Sequence, residues 1–154
     1  MILSTKGRYA VMAMVELASA KEAKPMPLAA IAEAQNIPLN YLEQIISSLR
    51  KRELVCAVRG PGGGYQIAAT PAEISIADIM FAAEENIEMT RCAAKETGCR
   101  PGGVRCTTHN LWEGLTEHIH AYLSSISLAD VIGGADLPAP LMARSALYEI
   151  REPA

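Results

Sequence analysis

The sequence predicts a mainly α-helical chain with one small β-hairpin. Three observations lead there. Apolar residues recur at helical spacing in three successive segments up to about residue 52. Two short strand-like runs then flank the glycine-rich stretch Gly60–Gly64. One apolar stripe, Leu111, Leu115, Ile119, Tyr122 and Ile126, runs for about four turns further on. Three helices followed by a hairpin make a winged helix-turn-helix, and the later stripe adds a long dimerisation helix.

The first helix is predicted from about Thr5 to Ser19, with Tyr9, Met12 and Val15 at helical spacing. Pro25 and Pro27 end that segment, and a short second helix places Leu28, Ile31 and Ala32 on one face. Asn36-Ile37-Pro38 is a turn signal. The third helix, about Leu39 to Arg52, buries Leu42, Ile45, Ile46 and Leu49 and leaves Asn40, Glu43, Gln44, Ser47 and Lys51 opposite. Leu54–Arg59 and Tyr65–Ala69 read as the two strands, and Cys56 as a buried apolar side chain. Ser75-Ile76-Ala77-Asp78 has the form of a capping box opening a helix with Ile76, Ile79, Met80 and Ala83 inward. Residues 88–107 lose apolar periodicity and read as a loop. The long helix follows from about Thr108 to Ser125, and Ser127-Leu128-Ala129-Asp130 can cap one more turn. The expected division is 1–71 for the winged helix, 72–132 for a sensor loop and dimerisation helix, and 133–154 for a tail.

Half of the 154 residues are hydrophobic, enough for a buried core. The net charge of −3 excludes a uniformly basic nucleic-acid coat. It conceals an asymmetry: residues 1–65 carry eight Lys/Arg against five Glu, a net +3, and residues 66–154 carry six against twelve acids, a net −6. Such a split points to an anionic partner at the N-terminal half. No apolar run reaches the ~20 residues of a membrane span, and no signal peptide is visible, so a cytoplasmic protein without a membrane partner is expected.

The polar face of the third helix has the chemistry of a major-groove reader. Asn40 and Gln44 suit base edges, Gln44 in particular adenine, and Ser47, Arg50 and Lys51 suit phosphates. Arg59 at the wing base suits a narrow minor groove. The tip glycines, Gly60, Gly62 and Gly63 among them, leave the backbone free to approach DNA. Glu43 repels phosphate but can accept from a cytosine amino group and so exclude wrong sites. Each feature has a plainer reading, a solvated helix face or an ordinary turn; their order along the chain favours DNA. The tip lacks the Lys-Ser/Thr ending of a phosphate-binding loop, and no hydrolytic triad or paired acid/base constellation points to an enzyme.

Cys92, Cys99 and Cys106 are each separated by six residues, and His109 follows three after Cys106. Three thiols and an imidazole suit an iron–sulfur cluster or structural zinc, and without metal they form a thiol switch. The long spacers favour a loop-wrapped [2Fe–2S] cluster over zinc, which usually takes tighter pairs. His118 and His120 read as surface residues.

Leu3-Ser4-Thr5-Lys6-Gly7-Arg8-Tyr9-Ala10, Tyr41-Leu42-Glu43-Gln44, Val58-Arg59-Gly60-Pro61-Gly62-Gly63-Gly64-Tyr65 and Thr90-Arg91-Cys92 with Cys106-Thr107-Thr108-His109-Asn110-Leu111-Trp112 resemble the Rrf2 family of regulators, over about residues 1–132. The cysteine loop resembles the family's iron–sulfur branch. The resemblance implies a homodimer on a pseudo-palindromic operator, with one [2Fe–2S] cluster per subunit held by Cys92, Cys99, Cys106 and His109. It implies sensing of cluster status and repression of cluster-assembly genes. It also implies that Tyr41 and its neighbours on the third helix enter the major groove and Arg59 the minor groove, and that Glu43 discourages one class of site when the cluster is absent. This chain departs in its longer cysteine spacers, and in Pro38 and Asn40 where these regulators often carry Ser. It has no Asp or Glu before Glu16, which favours His109 over a carboxylate from the first helix as fourth ligand. A redox or electron-transfer protein, and a zinc or thiol regulator of the same fold, are the alternatives.

Overall fold

A computed structural model describes residues 4–20, 24–84, 87, 99–100, 104–134 and 137. Cys92 and the tail from residue 138 lie outside them. Six helices and one hairpin follow in order: α1 (Thr5–Ser19), α2 (Leu28–Gln35), α3 (Leu39–Lys51), β1 (Val55–Val58), β2 (Gly64–Ile67), α4 (Ile76–Ala82), α5 (His109–Ser124) and α6 (Leu128–Gly133), with a 3-10 turn at Pro71–Glu73.

α1 is the central rod. Ser4 caps it by accepting from the Gly7 amide at 3.2 Å. Its small residues Ala10 and Ala13, fully buried beside Met14 and Leu17, let the other helices pack closely. α2 ends at Asn36 in the left-handed region (φ 51), a conformation asparagine tolerates. Ile37 is buried, and Pro38 then starts α3, whose face of Leu42, Ile45, Ile46 and Leu49 closes on α1.

β1 and β2 pair antiparallel, Val55 opposite Ile67 and Val58 opposite Gly64. The wing is pinned from the other side by reciprocal Met26–Tyr65 backbone bonds of 2.8 Å. That contact explains Gly64: a Cβ there would drive into the Met26 backbone. At the tip, Gly62 has φ +76, which favours glycine. Val55 is buried, but Cys56 is only half-buried, so the expectation of a core cysteine is corrected. Burial on β1 falls off from Val55 toward the tip, with Ala57 and Val58 exposed, so the core ends at the start of the strand.

The two Ser-x-x-Asp boxes come together as a pair. Ser75 and Ser127 lie opposite each other in an antiparallel bridge. The Ile76 amide donates to Ile126 at 2.9 Å and the Leu128 amide to Ile74 at 2.8 Å. Ile74, Ile76, Ile126 and Leu128 are all buried by this crossing. Ile126, expected on the apolar stripe of the long helix, lies instead past the end of α5 and enters the core. α4 and α6 both pack on α1, so the core continues across residue 71. No helix among the described residues is long and apolar enough to cross a membrane.

Candidate DNA-reading face and cysteine–histidine site

α3 turns one face inward and the other outward, as its period dictates. Asn40, Glu43, Gln44, Ser47, Arg50 and Lys51 are all exposed. Asn40, Gln44, Ser47 and Lys51 stack along one strip, and Glu43 and Arg50 flank it. Tyr41 differs: it is half-buried, with its ring edge-on to Tyr9 at 5.8 Å. Arg59 and the tip glycines Gly60 and Gly62 are exposed, and Gly63 is half-buried with its amide bonded to the Gly60 carbonyl at 2.9 Å. Lys6 and Glu84 join Glu43, Gln44, Ser47 and Lys51 around an open cleft of about 450 Å³ beside α3.

The second site forms at the N-terminus of α5. His109, the first residue of that helix, is 5% exposed, the one buried polar or charged side chain among the described residues. Its Nδ1 lies 3.1 Å from Cys99 Sγ. Its Nε2 is buried without a hydrogen-bond partner among the described residues, and Glu113 Oε1 stands 3.7 Å away. A buried imidazole nitrogen without a full hydrogen bond is costly to a fold. Cys106 lies close by. The Thr108 hydroxyl (3.6 Å) and then the Cys99 thiol hold the Cys106 thiol below the usual cysteine range. The positive end of α5 faces the same group and favours thiolate. Arg105, 3.8 Å from Glu113, adds a further cation.

Cys99, Cys106 and His109, spread over eleven positions of the sequence, are thus neighbours. Their donor types, two soft thiols and an imidazole, suit iron–sulfur or zinc ligation. Among the described residues no set of three Cys, His, Asp or Glu side chains is arranged to hold a metal ion, and the remaining expected donor, Cys92, lies outside those residues. His118 and His120 are exposed, as expected, with His118 Nδ1 on the Gly114 carbonyl at 2.9 Å.

The model of Rrf2, described as an iron-dependent transcriptional regulator, matches residues 3–134. The chain belongs to the Rrf2 family. The regulator IscR of Photorhabdus laumondii is 48% identical over 137 residues, covering 89% of this chain and 82% of that one. IscR of Serratia proteamaculans is 47% identical with the same coverage. Among solved structures, T. potens IscR superposes with a TM-score of 0.71 at 35% identity, covering 87% of this chain and 88% of that one. CymR, the global cysteine regulator of B. subtilis, superposes with a TM-score of 0.71 at 32% identity, covering 88% of this chain and 99% of that one. As an Rrf2 member the chain is a DNA-binding transcriptional regulator and not an enzyme.

Three residues at these Rrf2 sites were not picked out from sequence. Glu113 reaches toward His109 because it lies four residues on along α5, a spacing that could have been read. Thr108 beside Cys106 is a near neighbour in the chain. Glu84, 78 residues from the Lys6 that it meets, had no local signal.

Proposed function

We propose that this chain is a homodimeric regulator that reads duplex DNA with α3 and the wing and responds to iron–sulfur status through a [2Fe–2S] cluster held by Cys92, Cys99, Cys106 and His109. The observation that carries the sensing part is the buried His109 imidazole, set against Cys99 and beside Cys106 at the head of α5. A [2Fe–2S] cluster there supplies one-electron redox chemistry and sensitivity to the iron supply. The chain's own residues supply the rest. Cys99 and Cys106 offer thiolate, favoured by the helix terminus; burial keeps water from the imidazole; Glu113 faces Nε2 from the next turn.

On the DNA side, Gln44 and Asn40 read base edges, Ser47, Arg50 and Lys51 hold phosphates, and Arg59 with Gly60, Gly62 and Gly63 approaches the minor groove. Tyr41 contributes an edge, because its ring packs on Tyr9. Glu43 selects by excluding wrong sites. The dimer rests on α5, where Leu111, Trp112, Leu115 and Tyr122 are each 39% exposed or more and have no cover within the described chain. A two-fold contact along that face sets two α3 helices about one DNA turn, ~34 Å, apart on a pseudo-palindrome. In this reading 1–71 is the reader, 72–132 the sensor and dimer unit and 133–154 a tail, in a cytoplasmic protein without membrane contact.

The test compares anaerobically purified wild type with Cys92→Ala on a panel of promoter duplexes. Different promoter preferences are expected; identical affinities throughout would remove the sensing role and leave a constitutive DNA binder.

A further inference from the structure

We propose that Lys6 is a phosphate-binding residue of the DNA-reading face, held in reserve by Glu84. This rests on the reading of α3 and the wing as a DNA surface. Lys6 lies in the first turn of α1, and its Nζ is 2.8 Å from Glu84 Oε2. The lysine side chain is 27% exposed and the glutamate 76%, so the cation sits deeper and the acid covers it from the solvent side. Both open onto the cleft shared with Gln44, Ser47 and Lys51. A basic group beside the phosphate-binding strip is therefore neutralised by an acid from outside the three-helix unit.

Glu84 is placed for this by two features. Arg52, at the end of α3, lies over the Phe81 ring at 4.5 Å and ties the last turn of α4 to the reader. Glu84 then closes that turn at φ 58, its amide bonded to the Phe81 carbonyl at 3.0 Å. Lys51 and Arg52 also attract it, and the Lys6 bond foremost keeps its carboxyl below the usual range. An exposed pair of this kind stabilises the fold only weakly. A DNA phosphate offers the ammonium comparable charge-assisted bonds but has to compete with the carboxylate for it.

The test uses the full-length protein and a duplex selected from a random library by the wild type, with affinity measured across a salt series. Glu84→Gln keeps the shape and removes the charge. It is expected to tighten binding on the order of fivefold at low salt and to steepen the slope of log K against log salt by about 0.9, one extra phosphate contact. The double variant Lys6→Gln/Glu84→Gln is expected to lose that added slope, with thermal melting unchanged in both. An unchanged slope in Glu84→Gln overturns the proposal. So does a gain that survives in the double variant, which would be simple removal of a repulsive charge. A wild type without salt-dependent duplex binding would overturn the DNA-reading surface itself.

Discussion

Gln44 and Lys51 share one strip of α3, and the proposed reading gives them different tasks on DNA. A glutamine amide can pair bidentately with adenine, so Gln44→Ala should cost about 1–3 kcal/mol on the preferred duplex and almost nothing on a scrambled one. Lys51 is a point charge. Lys51→Ala should weaken both duplexes alike and lower the salt slope by about 0.9. Titrating both variants on both duplexes checks the pair of statements; equal losses on the two duplexes for Gln44→Ala would remove its base-reading role. The strip was legible in the sequence because a 3.6-residue period decides which side chains leave the core. The environment of His109 was not. Its place near Cys106 could be read from spacing, but its burial and its contact with Cys99 depend on how the loop returns to the head of α5. The Tyr9–Tyr41 packing was hidden for the same reason: each residue belongs to a separate, locally satisfactory helix.

Among the elements, the paired capping boxes hold the back of the molecule together. The Ser127 hydroxyl accepts from the Asp130 amide at 3.1 Å and donates to the Asp130 carboxylate at 2.6 Å, and the Ser127 amide donates to that carboxylate at 2.9 Å. Ser127→Ala should therefore lower stability by about 1 kcal/mol, read as a fall in Tm. The same bonds hold the Asp130 carboxyl below the usual aspartate range. Its contribution is thus complete above the unfolded-state pKa and lost as the pH falls through the lower native value. Melting curves should show stability declining from about pH 5 downward, less steeply in Asp130→Asn. The two boxes were visible as Ser-x-x-Asp strings, but their mutual bridge was not, since strand-like pairing of two helix entries leaves no periodic trace. α5 is the other element with a testable face. Leu115→Glu puts a charge into its exposed apolar stripe and should convert a dimer to monomers in sedimentation equilibrium, with the helical circular dichroism retained. A dimer that persists would place the interface elsewhere.

At the scale of the whole molecule, the elements before and after residue 71 are built on one core. α4 and α6 pack on α1 as α2 and α3 do, so the helices on either side of the wing share the same central rod. The charge split read from the sequence follows this layout: the +3 half carries α3 and most of the wing, and the −6 half carries α5 with Cys92, Cys99 and Cys106. The Rrf2 fold was legible because helix order, turn glycines and the long stripe agree with one another. The link between the halves was not, because the Lys6–Glu84 pair and the Arg52–Phe81 contact join residues without shared periodicity. The central claim is that Cys99, Cys106 and His109 belong to a cluster site. Anaerobic purification followed by a visible absorption spectrum and iron, sulfide and zinc analysis tests it most directly. The account predicts a coloured protein with about two irons and two sulfides per chain, bleached in Cys106→Ala and altered in His109→Ala. A colourless, zinc-containing wild type that binds its duplex with full affinity would contradict it.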